Sequence, residues 1–158
     1  MPNKPKARGT AAETAVVRAL RALGFPHAER RALAGVHDLG DITGTPGLCW
    51  EVKGGDAART ASDNQITDWL TETEKERANA GADHGILVVQ RKAIGAANAH
   101  RWWAILNATN LAELLVNEGA IDWGSGTPTF PVRMLLGDAC HLLRAAGYGQ
   151  PLPEAAAC

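Results

Sequence analysis

With 158 residues, 46% of them hydrophobic and 21% charged, the chain has enough apolar material for one core without staples, which excludes wholesale disorder and leaves a single domain as the expectation. The longest strongly apolar run is the short Ile86-Leu87-Val88-Val89, with no h-region behind the basic first residues, so neither secretion nor membrane spanning is supported and a cytoplasmic location is expected. The net charge of −1 hides an asymmetry, because residues 1–31 carry seven basic side chains against two acidic ones, a pattern that suits either a phosphate backbone or a solvated basic tail.

In chain order, Val16, Val17, Leu20 and Leu23 recur at helical spacing, with Thr10 as cap and Gly24 as stop, and predict a first helix over 10–23. A short strand limited by Pro26 and a loop follow. "DITGTPGLCWEVKGG" then reads as two strands joined by a Gly- and Pro-rich turn. In the second of these strands alternate side chains share a face, so Glu51 and Lys53 point one way and Trp50 and Val52 the other. Residues 56–62 read as a polar loop, and 63–80 as a helix closed by Gly81, with Ile66, Trp69, Leu70 and Thr73 inward and Asp68, Glu72, Lys75 and Glu76 largely outward. "HGILVVQ" predicts a strand buried on both faces, "HRWWAIL" its neighbour, and 93–99 a loop at the sheet's edge. Two short amphipathic helices, an insertion at 119–132 and a frayed tail over 151–158 complete the chain. The expected order is helix, three strands, helix, two strands and helices, an α/β fold around a mixed sheet.

Four carboxylates stand out as candidates for chemistry: Glu13, Asp38, Asp41 and Glu51. Glu13 falls at the centre of the apolar stripe of the first helix, where an acid needs a partner, although Thr10-x-x-Glu13 is also a capping box. The hairpin brings Asp41 beside the strand that bears Glu51, and two carboxylates from adjacent strands make a site for a hard cation such as magnesium when waters and a phosphate supply the rest. Lys53 then points toward that site, where an ammonium can orient a water or offset charge on a phosphorane. An Asx-type turn at Asp41 and a surface ion pair between Lys53 and Glu51 are the plainer alternatives. Cys49, Cys140 and Cys158 lack the paired spacing of zinc sites and read as free thiols.

"GTAAETAVVRALRALGF" followed by "GDITGTPGLCWEVKGG" resembles the PD-(D/E)xK nuclease superfamily, and in particular the archaeal-type and phage-type Holliday junction resolvases, which carry an early helix Glu and then D…E-x-K. The resemblance covers residues 8–92, including "NQITDWLTETEKERANAGADHGILVVQRK". It implies a restriction-endonuclease-like mixed β-sheet flanked by helices, one nuclease domain over 1–158 with its core at about 8–107, a C-terminal helical elaboration over about 108–150 and a flexible tail. It also implies that Glu13, Asp41 and Glu51 bind Mg2+ (with Mn2+ as a substitute), that the Val52 carbonyl contributes, that Lys53 is the catalytic lysine, and that Gln65 lies near the scissile phosphate. Gly40 stands where the superfamily often has Pro, and Asp38 is a rival to Asp41 that precedes the strand proper.

Phosphate contacts are expected at Arg8, Arg30, Arg31, Arg59 and Lys92 from their places around this motif. The implied activity is Mg2+-dependent cleavage of four-way DNA junctions by a homodimer, whose two-fold axis matches two symmetrical nicks. A nuclease acting on duplex or flapped DNA, and a DNA-binding protein without turnover, are the other readings of the same residues.

Overall fold

The computed structural model describes residues 4–32, 37–116 and 129–153, with the side chains of residues 4–8 outside that description. Along the chain run α1 (Lys4–Ala22), β1 (Glu29–Arg30), β2 (Ile42–Thr43), β3 (Leu48–Lys53), α2 (Asp56–Arg59), α3 (Asp63–Ala80), β4 (His84–Val89), β5 (Trp103–Asn107), α4 (Ala108–Leu115), β6 (Pro131–Leu135) and α5 (Leu136–Ala145). The strands form one mixed sheet in the order β1-β2-β3-β4-β5-β6. Only β3 and β4 are parallel, with Glu51 opposite Leu87, and α3 supplies the crossover that parallel neighbours require.

The alternation seen in the sequence sorts the two faces. Trp50 and Val52 join Ile86, Val88, Ala104 and Leu106 in a core completed by Val16 and Leu20 of α1 and by Leu136, Cys140 and Leu143 of α5. On the opposite face Leu87, Val89 and Ile105 pack against Ile66 and Leu70 of α3. Leu20, Ile86 and Val88 are wholly buried, each contributing about 1.5–3 kcal/mol on burial. The start and end of this layer are tied together: Gln150 N–H donates to the Gly24 carbonyl at 2.7 Å, and the Arg144 guanidinium donates to the Leu23 carbonyl.

The hairpin follows the expected turn chemistry, with Gly44 and Gly47 at φ 79° and 81°. A Cβ on Gly44 would lie 1.9 Å from the His27 carbonyl oxygen, so the loop closes on the segment before β1 and fixes how β2 meets β3. α3 matches its predicted bounds: Ser62 Oγ accepts from Gln65 N–H at 3.2 Å, and Gly81 ends the helix at φ 62°.

Several expectations are corrected. α1 extends back to Lys4, so Thr10 is an interior helical residue and not a cap; its carbonyl accepts from Thr14 Oγ1 within the helix. The polar stretch 56–62 contains the single turn α2. The segment expected as an edge loop forms 3-10 turns over Ala96–Arg101 that pack on α1, with Ala99 and the following Trp102 buried. The sheet has a sixth strand where part of an insertion was expected: Pro131–Leu135 pairs with β5, and α5 enters the same core as α1, so these elements are built into the central layers. Residues 117–128 of that insertion lie outside the described residues. An edge strand that opens with Pro and is buried on neither face by strict alternation carries little periodic signal.

Candidate active site

β3 answers where Glu51 and Lys53 point: both face α3, away from the α1 layer. Glu51 is buried, at 7% exposure, and Lys53 Nζ donates to its Oε1 at 2.5 Å. The same ammonium lies 3.7 Å from Glu72 Oε2 and 5.8 Å from the centre of the Trp69 ring, both on α3. The floor of the site is therefore a strand and one wall a helix.

Asp41 arrives from the position just ahead of the neighbouring strand, β2. Its N–H donates to the Trp50 carbonyl at 2.7 Å, and its Oδ2 accepts from the Val52 N–H at 2.7 Å. These two bonds hold Asp41 against Glu51. In a strand the N–H and C=O of one residue leave on the same edge, so the Val52 carbonyl also emerges on the Asp41 side. Asp38 is instead a turn residue, exposed, with Oδ1 accepting from Gly40 N–H at 3.1 Å.

Crowding of acids away from water sets the protonation. Burial, then the Glu51 charge, pushes Asp41 from 3.8 up to about 7, against the Val52 hydrogen bond that favours its charged form. Burial likewise raises Glu51 from 4.5 to about 7, although Lys53 works in the other direction. Burial alone would lower Lys53, yet the bond and charge of Glu51, aided by Glu72, raise it above 10.5. Lys53 is therefore an ammonium throughout the neutral range.

A residue assigned to solvent belongs to this cluster. Glu76, three residues beyond the inward Thr73, is buried at 6% exposure, and its Oε2 has no hydrogen-bond partner. Burial, followed by the Asp38 charge, raises it to about 7, and Glu51, Lys53 and Asp41 also act on it. It faces into the site, and α3 thus presents Trp69, Glu72 and Glu76 at spacings that share one face. The signal available in the sequence was its place on the stripe of Ile66, Leu70 and Thr73; its charge argued for the outside.

Of the other expected site residues, Glu13 is near but turned aside. Its Oε2 accepts from Arg30 Nε at 2.8 Å, with Arg30 also reaching Thr10 Oγ1, so the capping box is absent and an ion pair between α1 and β1 takes its place. Its charge still bears on Asp41. Gln65 is exposed on the first turn of α3, one turn before Trp69, and bonds Ser62 through its backbone only. Arg59 is spent on Asp56 Oδ1 at 3.1 Å and on the Gly55 carbonyl; Lys92 is exposed. Arg31 is half-buried, with its Nε unpartnered beside a cavity of about 270 Å³ that runs along the hairpin loop to Gly81. The Arg8 side chain lies outside the described residues.

Among the described residues, no three His, Cys, Asp or Glu side chains already meet as a metal cage. The donor set nonetheless suits a hard cation in part: Asp41 and Glu51 offer paired carboxylates and Glu76 an unused oxygen. Cys49, a buried thiol pushed up to about 12 chiefly by burial, supplies no soft thiolate. Among the described residues no helix is long and apolar enough to cross a membrane. No protein-family model, curated protein or solved structure matches the chain.

Proposed function

We propose that the chain is a Mg2+-dependent, structure-selective DNA endonuclease of the PD-(D/E)xK type, acting on four-way junctions as a homodimer. The observation that carries this reading is the clasp of Asp41 over the Val52 N–H beside the Glu51–Lys53 pair. It puts the acid, the E-x-K carboxylate and the lysine of the motif at one point of a sheet. The helix–hairpin–helix–strand order around it supports the restriction-endonuclease-like form of the α/β fold.

In this reading Asp41 and Glu51, with the Val52 carbonyl, hold the cation, which supplies charge to the scissile phosphate and lowers the pKa of a bound water. Glu13 joins them if Arg30 releases it to a DNA phosphate. Lys53, held protonated, donates to oxygens whose negative charge grows in the transition state and is not the general base. Arg30, Arg31 and Lys92 position the backbone without reading sequence. A two-fold dimer sets two such sites against the two strands that a junction requires to be nicked.

The test is cleavage of a labelled immobile four-way junction and of a linear duplex with the same sequence, in Mg2+ or EDTA, by wild type and Glu51→Ala. Paired nicks in the junction with Mg2+ only, lost in a variant that still binds, support the reading. Equal cutting of linear duplex moves the protein to a duplex nuclease. No cutting of either by folded wild type in Mg2+ or Mn2+ sinks the catalytic reading.

A further inference from the structure

On the α3 side of the sheet the helix covers β4 and Ile105 of β5, while Arg133 of β6 stays exposed. Arg133 lies opposite Ile105 in the register and Trp103 two residues before it, so both side chains emerge on this face. Trp103 is half-buried, and two guanidiniums stand over its ring: Arg91 Cζ is 4.4 Å and Arg133 Cζ 5.3 Å from the centroid. Arg30, Arg59 and Arg77 each pair with a carboxylate; among the described residues Arg91 and Arg133 pair with none. Two like charges gathered on one ring and left without an acid attract an anion more strongly than either does alone.

Arg91 is also held in place by an uncommon turn. The Ile94 N–H donates to the Arg91 carbonyl at 3.2 Å, and between them Ala93 has φ 64°, the only described residue other than glycine with positive φ. Residues with a Cβ seldom adopt that conformation, and it persists where the surroundings impose it. Here the Ile94 side chain packs on the α1 core and its carbonyl accepts from Trp102 Nε1 at 2.9 Å.

The place of the pair relative to the acids gives it a partner. Lys53, Val89 and Trp103 lie side by side on three successive strands, so Trp103 stands about 10 Å along the sheet from the lysine. Ile66 and Leu70 seat α3 on Leu87 and Val89 between them, a ridge about 10–12 Å across. One straight backbone docked at Lys53 meets this ridge, whereas a branched molecule can lay a second backbone beyond it. Stacked guanidiniums keep their N–H edges free for phosphate oxygens and read no base.

We propose that Arg91 and Arg133, held on Trp103, bind the phosphate backbone of a second DNA arm on the far side of α3 from Asp41, Glu51 and Lys53. The inference rests on the proposed junction substrate, and it adds a contact outside the D…E-x-K motif that separates branched from linear DNA.

The test is fluorescence anisotropy of a labelled immobile four-way junction and of a linear duplex with the same sequence, in EDTA over a range of salt. Wild type, Arg91→Ala/Arg133→Ala, Arg91→Lys/Arg133→Lys and Arg18→Ala are compared, with circular dichroism as a check on folding; Arg18, exposed on α1, controls for loss of charge alone. The double alanine variant should bind the junction at least about tenfold more weakly, with a plot of log K against log salt shallower by about 1.8, the share of two phosphates. Its duplex affinity should stay within about twofold of wild type. The double lysine variant should keep the wild-type slope, and Arg18→Ala should change neither substrate. Unchanged junction binding in the alanine variant overturns the proposal, as does equal loss on both substrates or a loss as large in Arg18→Ala. Cleavage in Mg2+ separates the two readings. A junction bound through Arg91 and Arg133 but never cut keeps this surface and removes the nuclease; a junction bound and cut equally by wild type and variant keeps the nuclease and removes this surface. A wild type that binds no DNA removes both.

Discussion

Asp41, Glu51 and Glu76 share one consequence of burial. Each is raised to about 7 from an ordinary 3.8, 4.5 and 4.5. A carboxyl raised in the folded chain keeps its proton where the unfolded chain has already lost it, so its contribution is complete below the ordinary values and is lost as pH rises through about 7. The metal-free protein in EDTA should therefore melt at falling temperature between about pH 5 and pH 8, with Mg2+ restoring much of the loss at pH 8. Glu76→Gln should flatten part of that fall, and thermal melts of both proteins across this range would check it; a flat wild-type profile would show that the acids are not crowded. At this scale Glu51, Lys53 and Asp41 were legible because period-two alternation and a Gly/Pro turn are local. Glu76 was not, because what makes a buried glutamate tolerable is the company it keeps, and that company comes from β3 and the loop before β2.

At the scale of the element, the segment entering β2 decides the site's geometry. Gly40 has φ 85°, and a Cβ there would sit 2.8 Å from both Cys49 Sγ and the Trp50 carbonyl oxygen. Its N–H also caps Asp38. Gly is thus required at this position by the backbone, since Pro fixes φ near −65° and has no N–H to give. Gly40→Pro should cost about 3 kcal/mol or more in denaturant titrations and displace Asp41 from the Val52 N–H. Retention of wild-type stability would mean that the left-handed turn is dispensable. Among the elements, α3 and β4 were readable to the residue because a strong period and clear stops agree. The extension of α1 was hidden by Pro5 and Gly9, the first of which is tolerated within an opening helical turn. β6 was hidden because its partner is β5, and an edge strand of mixed exposure makes sense only once that pairing is known.

For the whole molecule, the sheet is the shared wall of two cores. Leu20 lies wholly buried on the α1 side and Leu70, at 4% exposure, on the α3 side. Leu20→Ala and Leu70→Ala should each lower stability by about 2–5 kcal/mol. Because β3 and β4 belong to both layers, each variant should still unfold in one transition, seen alike by tryptophan fluorescence and far-UV circular dichroism. Separate transitions in either variant would mean that the layers fold independently. The mixed sheet and its flanking helices followed from the order of predicted elements, whereas the place of α5 beside α1 did not, since no local pattern states which helices become neighbours.

That last adjacency has a consequence in time. Val16 and Leu20 share their core with Leu136, Cys140 and Leu143, and the Gly24 carbonyl waits for the Gln150 N–H. A chain emerging from a ribosome makes α1 before the rest of this core and its covering helix more than a hundred residues later. During that interval the inner stripe of α1 has only part of its burial available, and contacts of such long sequence separation form slowly. The first helix of this core to be made is thus among the last to be finished, and the window in which a chaperone or a second nascent chain can meet the bare face of α1 lasts while more than a hundred further residues are added.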